Sequence, residues 1–371
     1  MMSRWAKLLI IGAVACLSVP FAGPHDASRH SGAVVSGWAA RIFLHGEFTG
    51  LAAGRGSLYT AEWHAGVSTI VRVDPTGRVL ARSSTLEELG GFSVIGRQLW
   101  AVIGIGDVGR PGVPELLAFD LESLKKLRAI RLVLGADGRT SASAWGPVTA
   151  LGATAWSAFG CELVQVDPSS GRLLHSVDLG KQVGCASRLA IRGASLYVAE
   201  PVGLGGSIQL EARNARTGGL LRVSQVPDPP LGVGLVAAGD YLWAAGGDMG
   251  AAGDLYLYRA STLRLVGASG TEGGGGPVPG GRGVVRLPAT SEYPAIDASA
   301  GVVWVGSQGG DAACFDARTG RLEAMGIPRP DVVTGNVVVT TFGTFATGSS
   351  PASGASGLVR VTPPTACKAS D

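Results

Sequence analysis

The sequence predicts an all-β chain, a seven-bladed β-propeller of four-stranded antiparallel blades, and three observations lead to it. The first is a polar turn that recurs seven times: Val-Asp-Pro-Thr-Gly-Arg at Asp74, Phe-Asp-Leu-Glu-Ser-Leu at Asp120, Val-Asp-Pro-Ser-Ser-Gly-Arg at Asp167, Asn-Ala-Arg-Thr-Gly-Gly at Asn214, Arg-Ala-Ser-Thr-Leu at Arg259, Phe-Asp-Ala-Arg-Thr-Gly-Arg at Asp316, and a worn Val-Thr-Pro-Pro-Thr at Thr362. Their separations are 46, 47, 47, 45, 57 and 46 residues, and the long interval holds the Gly-rich stretch 270–283 as an insertion. A period of about 40 to 50 residues with several short strands per unit is that of a propeller blade. The second is a pair, apolar then aromatic, repeated once per unit: Leu58-Tyr59, Leu99-Trp100, Ala155-Trp156, Leu196-Tyr197, Leu242-Trp243 and Val303-Trp304, with Val338-Val339 as the seventh copy. The third is composition. Gly supplies 58 of 371 residues and charged residues only 16 %, which suits tight turns joining apolar strands in a single ring.

Taken in chain order, the N-terminus reads as an address. Arg4 and Lys7 precede the apolar run 8–15, and Ala13-Val14-Ala15-Cys16 fits an Ala-x-Ala cleavage site. It also fits a degenerate lipobox with Cys16 as the lipidated residue. The run is shorter than the ~20 residues of a spanning helix. The expected organisation is a signal peptide at 1–22, a linker at 23–38, the propeller at 39–366 and a tail at 367–371. The chain would be exported to an extracellular, periplasmic or envelope location.

Within the propeller, Ala40-Arg41-Ile42-Phe43-Leu44-His45 has the character of an outer strand but precedes the first inner strand. It is expected to complete the last blade, which lacks a fourth strand of its own, and so to remove an open sheet edge. Each unit then runs from an inner strand, such as 91–96, to the second strand with its aromatic, which fills the wedge between blades. The third strand ends on the Asp turn, where the carboxylate caps main-chain N–H groups and Gly takes positive φ. Outer strands such as 79–82, 173–177 and 221–224 alternate as half-exposed strands do. Asp74, Asp120, Asp167 and Asp316 are therefore structural.

Four cysteines follow the signal, Cys161, Cys185, Cys314 and Cys367, an even number in an exported chain, which suggests two disulfides. Of the three pairings, Cys161 with Cys185 and Cys314 with Cys367 each join neighbouring blades. The net charge is +3, and no basic run exceeds Lys125-Lys126. That composition excludes a nucleic-acid stripe and leaves a lipid at Cys16 as the one route to a membrane. A monomer is expected.

In such a ring the loops entering the inner strands and those joining second to third strands share one face, around the mouth of the central channel. The entry loops contribute Glu47, Trp145, Arg188, Glu292, Tyr293 and Asp331; the others contribute His64, Asp107, Glu200, Asp248 and Asp311. Glu47, Trp63, Asp107, Trp145, Arg188, Glu200, Asp248 and Tyr293 are the candidate contacts for a protein or small-molecule partner. Glu292, Asp311 and Asp331 could hold a hard cation, Ca²⁺ or Mg²⁺, with solvated loop acids as the alternative; no other cofactor is expected. His64 is the one imidazole positioned for general acid or base work. No Gly-x-Ser-x-Gly elbow, phosphate loop or dinucleotide fingerprint occurs.

The pairing of Leu-Trp second strands with Val-Asp-Pro-x-Thr-Gly-Arg turns resembles exported bacterial propellers of the YVTN and quinoprotein-like superfamily, over about residues 40–365. Leu58-Tyr59-Thr60-Ala61-Glu62 and Leu196-Tyr197-Val198-Ala199-Glu200 are also similar to the repeats of streptogramin lyases, seven-bladed enzymes that open a lactone ring with Mg²⁺ and a histidine base. That resemblance implies a cation-dependent lyase or hydrolase with His64 as base. The chain departs from it by having no histidine after His175. It departs from quinone-binding propellers in carrying Leu174, Leu220 and Leu322 where a Trp follows the turn. The first expectation is therefore a non-catalytic binding or scaffold propeller, with the lyase or hydrolase as alternative.

Overall fold

Strands whose alternate residues are apolar can bury both faces only if sheets stack on one another, and seven sheets do so here. The computed structural model describes residues 37–87, 89–104, 106–107, 110–111, 115–131, 148–151, 154–159, 162–179, 188–201, 208–226, 232–247, 254–269, 285–287, 295–299, 301–307 and 310–367. Blade 1 is built from Phe48–Gly54, Ser57–His64, Val67–Val73 and Val79–Glu87, paired antiparallel in that order from the inside out. Blade 2 repeats the order with Phe92–Ile95, Gln98–Ile103, Glu115–Asp120 and Lys126–Arg131, and blade 3 with Val148–Leu151, Thr154–Phe159, Glu162–Val166 and Leu173–Asp178. Blade 4 uses Arg188–Arg192, Ser195–Pro201, Ile208–Asn214 and Leu220–Val226; blade 5 uses Gly232–Ala238, Tyr241–Gly247, Asp254–Arg259 and Arg264–Ser269. Blade 6 is Ala295–Ser299, Val302–Gly306, Ala312–Asp316 and Leu322–Gly326.

Blade 7 closes the ring. Its inner three strands, Val332–Thr340, Gly343–Ser349 and Ser356–Thr362, come from the end of the chain, and its fourth is Ala39–His45 from the start. Ala39 pairs with Thr362 and His45 with Gly357. The expected N-terminal closure is what the sheet shows, and Thr362, the worn seventh turn, is where the chain leaves the third strand. Three contacts lock the added strand. The Asp331 carboxylate accepts the Ile42 N–H at 2.8 Å, and the Asp331 N–H donates to the Ala40 carbonyl at 3.3 Å. Trp38 packs edge-on against Trp304 of blade 6, centroids 5.1 Å apart. A disulfide joins Cys314 of blade 6 to Cys367, in the short 3₁₀ turn Thr365–Cys367 that follows the last strand. Cys161 and Cys185 lie outside the described residues, as do the insertion 270–283 and the segment 1–36 with Cys16.

The aromatic repeat needs one correction. Val338-Val339 belongs to the inner strand of blade 7, and the second strand there carries Thr344-Phe345. The third residue of every second strand is consequently aromatic: Tyr59, Trp100, Trp156, Tyr197, Trp243, Trp304 and Phe345, each at most 2 % exposed. Where the side chain has a polar tip it stitches blades together. The Tyr59 hydroxyl donates to the Leu121 carbonyl at 2.9 Å, Trp156 Nε1 to Ala215 at 2.8 Å, and the Tyr197 hydroxyl to Ala260 at 3.0 Å. Each acceptor follows the first turn residue of the next blade.

The turns behave as their sequence requires. Asp74 Oδ1 accepts the N–H groups of Thr76 (2.9 Å) and Arg78 (3.0 Å) and the Thr76 hydroxyl. Asp120, Asp167 and Asp316 repeat the pattern, and Asn214 does so with its amide oxygen. The Thr76 hydroxyl, and then the Arg78 N–H, hold the Asp74 carboxyl down at about 2. The hydroxyls of Ser169 and Ser170 depress Asp167 in the same way. These acids are fully employed as caps.

Candidate functional site

The second strand of blade 1 outruns its packing. Its first five residues are buried, but Glu62 is half-buried and Trp63 and His64 are exposed, so the last two project at the mouth end. Trp63 keeps its N–H on the Glu47 carbonyl at 3.1 Å, which fixes the strand end against the entry to the inner strand. Across the seam, the inner strand of blade 7 slips register between Val333 and Val337. Thr334, Gly335 and Asn336 drop out of the ladder as a bulge, a device that commonly re-aims backbone near binding sites. Bulge and strand ends together enclose a shallow depression of about 440 Å³, lined by Glu47, Phe48, Trp63, Asn336, Thr347 and Ser356 among others. An indole, a carboxylate, an amide and hydroxyls therefore share one hollow. Trp63 is 48 % exposed, whereas Trp38, Trp100, Trp156, Trp243 and Trp304 are buried.

Two of the residues singled out from sequence, Glu47 and Trp63, are thus brought together. His64 is exposed, but strand alternation turns it to the face opposite Trp63, and it does not line the hollow. On that same opposite face, Glu62 is ion-paired to Arg82 of the outer strand. Arg188 opens the inner strand of blade 4 with an exposed side chain. Asp107 lies in a short hairpin, Gly106–Asp107 with Arg110–Pro111, and Glu200 in the second strand of blade 4; their side chains are outside the described set. Trp145, Asp248, Glu292 and Tyr293 lie outside the described residues altogether.

Of the proposed cation ligands, Asp311 and Asp331 are described and Glu292 is not. Asp311 accepts the Ser307 N–H through its carbonyl at 3.0 Å in a half-buried loop. Asp331 is buried at 9 % exposure with its carboxylate on Ile42, so closure of the ring already uses it. Among the described residues no group of three or more His, Cys, Asp or Glu is placed to hold a metal ion.

Sequence reasoning passed over Asp297 and the bulge. Asp297 sits in the inner strand of blade 6 and accepts the Val339 N–H of blade 7 at 2.7 Å. Burial pushes its carboxyl up to about 6, against the opposing pull of the Val339 and Ala298 N–H groups. A carboxylate inside Ala-Ile-Asp-Ala-Ser was the available signal. The bulge left only Thr-Gly-Asn inside a valine-rich run.

Comparison with known proteins supports the architecture. No family model matches the chain, and no curated protein matches it either. Among solved structures it is similar to BamB from Moraxella catarrhalis, at 13 % identity and TM-score 0.50, over 86 % of this chain and 84 % of that one. It is similar to the computationally designed Ika8 protein at 15 % identity and TM-score 0.53, covering 86 % and 98 %. The Dos1 propeller aligns at 10 % identity and TM-score 0.57, covering 85 % and 78 %. At these identities the likeness is one of fold.

Proposed function

We propose that this chain is an exported binding propeller that takes a small ligand or a protein loop at its mouth, in the hollow between blades 7 and 1, with Trp63 as the apolar anchor and Glu47 beside it. The observation that carries the reading is the exposure of Trp63. Every other described tryptophan is consumed by blade packing, while this one stands half in water beside a hollow lined with polar groups. Large, rigid, amphipathic side chains placed this way dominate the energetics of recognition. The described acids of the turns and of the closure are already hydrogen-bonded as caps and clasps, which favours binding over catalysis.

Export rests on the N-terminal basic and apolar segments. Fusing residues 1–38 to a reporter that folds only outside the cytoplasm tests it, and a silent reporter contradicts it. For the binding site, tryptophan emission of residues 23–371 is read against a panel of soluble glycans, nucleotides and peptides. A ligand found in this way should lose at least tenfold in affinity in Trp63→Ala and in Glu47→Gln, with melting unchanged. Equal affinity in both variants would place recognition elsewhere.

A further inference from the structure

The outer strands form the rim of the ring, and each has one edge that its own blade leaves unpaired. In two places the chain covers that edge itself. Val285–Leu287 adds in parallel to the outer strand of blade 5, with Gly267 opposite Val285 and Ser269 opposite Leu287. Arg329–Pro330 adds in parallel to Ala39–Ala40 on blade 7. Rim strands of this molecule therefore accept an extra strand. The outer strand of blade 4, Leu220–Val226, carries none among the described residues.

That strand is also the most apolar part of the described rim. Leu220, Leu221 and Val223 are 53, 50 and 49 % exposed, whereas the other exposed large apolar residues of the rim, Leu80, Leu127 and Leu173, occur one to a blade. Natural sheets protect such edges with charge, and blade 2 does so with Lys126, Arg128 and Arg131 in a strand of six residues. Blade 4 interleaves a single cation, Arg222. Its preceding turn begins with Asn214, where blades 1, 2, 3 and 6 have Asp, so no turn carboxylate offsets Arg216 and Arg222. The Gln225 carbonyl is taken by the Tyr258 hydroxyl of blade 5 at 3.1 Å, which bounds the open stretch at residues 220–224.

The register slips at Leu221, so Leu220, opposite Arg213, and Val223, opposite Glu211, share one face, while Arg222, opposite Ala212, lies on the other. A strand laid alongside would set its acidic side chains beside Arg222 and its apolar ones beside Leu220 and Val223. We propose that this edge is a docking site for an extended partner segment in which apolar and acidic residues alternate, bound by strand addition.

A fluorescent peptide of four Leu-Glu repeats, titrated onto the full chain, tests this directly. A peptide of the same composition in block order, four Leu then four Glu, serves as control. The proposal expects saturable binding of the alternating peptide, at least tenfold weaker binding of the block peptide, and slowed amide exchange at residues 220–224. Leu220→Ser/Val223→Ser and, separately, Arg222→Glu should each weaken binding at least tenfold with unchanged melting. Failure of the alternating peptide to bind, equal binding of the block peptide, or affinity unchanged in both variants would overturn it. So would uptake of the chain by phosphatidylglycerol vesicles that competes with the peptide, which would make the rim a lipid-facing surface.

Discussion

The phenolic oxygen of Tyr59 in blade 1 donates to the carbonyl of Leu121 in blade 2, tying the aromatic repeat of one blade to the turn repeat of the next. Trp156 with Ala215 and Tyr197 with Ala260 do the same between blades 3 and 4 and between blades 4 and 5. Two sequence repeats that look independent are parts of one device: the turn, whether it begins with Asp120, Asn214 or Arg259, presents a carbonyl at a set height, and the neighbouring aromatic fills the wedge and reaches it. Trp100 and Trp243 fill their wedges with a buried Nε1 that finds no such acceptor.

Tyr59→Phe keeps the ring and deletes only the tie. It is expected to cost about 1 to 2 kcal/mol, because the Leu121 carbonyl loses a buried donor. Urea unfolding should show a lower midpoint at unchanged slope.

Two kinds of carboxyl give stability opposite dependences on pH. Asp74 is depressed to about 2, so its contribution is present above the unfolded value near 4 and is lost as pH falls through about 2. Asp297 is raised to about 6, so the folded state favours its proton, and the benefit is full below about 4 and lost as pH rises through about 6. Asp297→Asn should flatten the decline between pH 4 and 6. It should raise stability at neutral pH by about 1 to 2 kcal/mol, because an amide oxygen can still accept the Val339 N–H. Melting curves taken across that range check both signs.

Gly239 turns blade 5 at φ +55, and a Cβ there would run into the Ala317 carbonyl of blade 6. Gly239→Ala combines left-handed backbone cost with a clash against main chain. A loss of about 2 kcal/mol or more is expected, against under 1 for Gly193→Ala, where φ is +53 and the space is open.

The disulfide Cys314–Cys367 spans 53 residues and clasps the end of the chain onto blade 6. Reducing it should cost about 2 to 4 kcal/mol through the freedom returned to the unfolded chain. Comparing melting of the wild type and Cys314→Ala/Cys367→Ala, with and without reductant, measures this.

Much of the ring was legible because blade architecture repeats its chemistry: Asp74, Asp120, Asp167 and Asp316 each need the same cap, and six aromatics announce the second strands. The seventh, Phe345, was hidden because the residue before it, Thr344, is polar rather than apolar, while the nearby Val337-Val338-Val339 mimics a second strand. The site was less legible, because its parts come from opposite ends of the sequence. Glu47 and Trp63 were nominated from their loops. Asn336, Thr347 and Ser356 meet them only through the bulge and the closing strand, neither of which has a periodic signature. Asp331 was read as a mouth acid because it immediately precedes an inner strand, and its bond to Ile42 depends on a strand almost 290 residues away.

Closure by the N-terminal strand underlies both the ring and the seam at which the hollow forms, and removing residues 37–45 tests it most directly. The account predicts that the shortened chain loses cooperative unfolding, exposes the core of blade 7 to hydrophobic dye, and loses amide protection over Ser356–Thr362. A chain without those residues that melts at the same temperature, with the same protection along that strand, would contradict it.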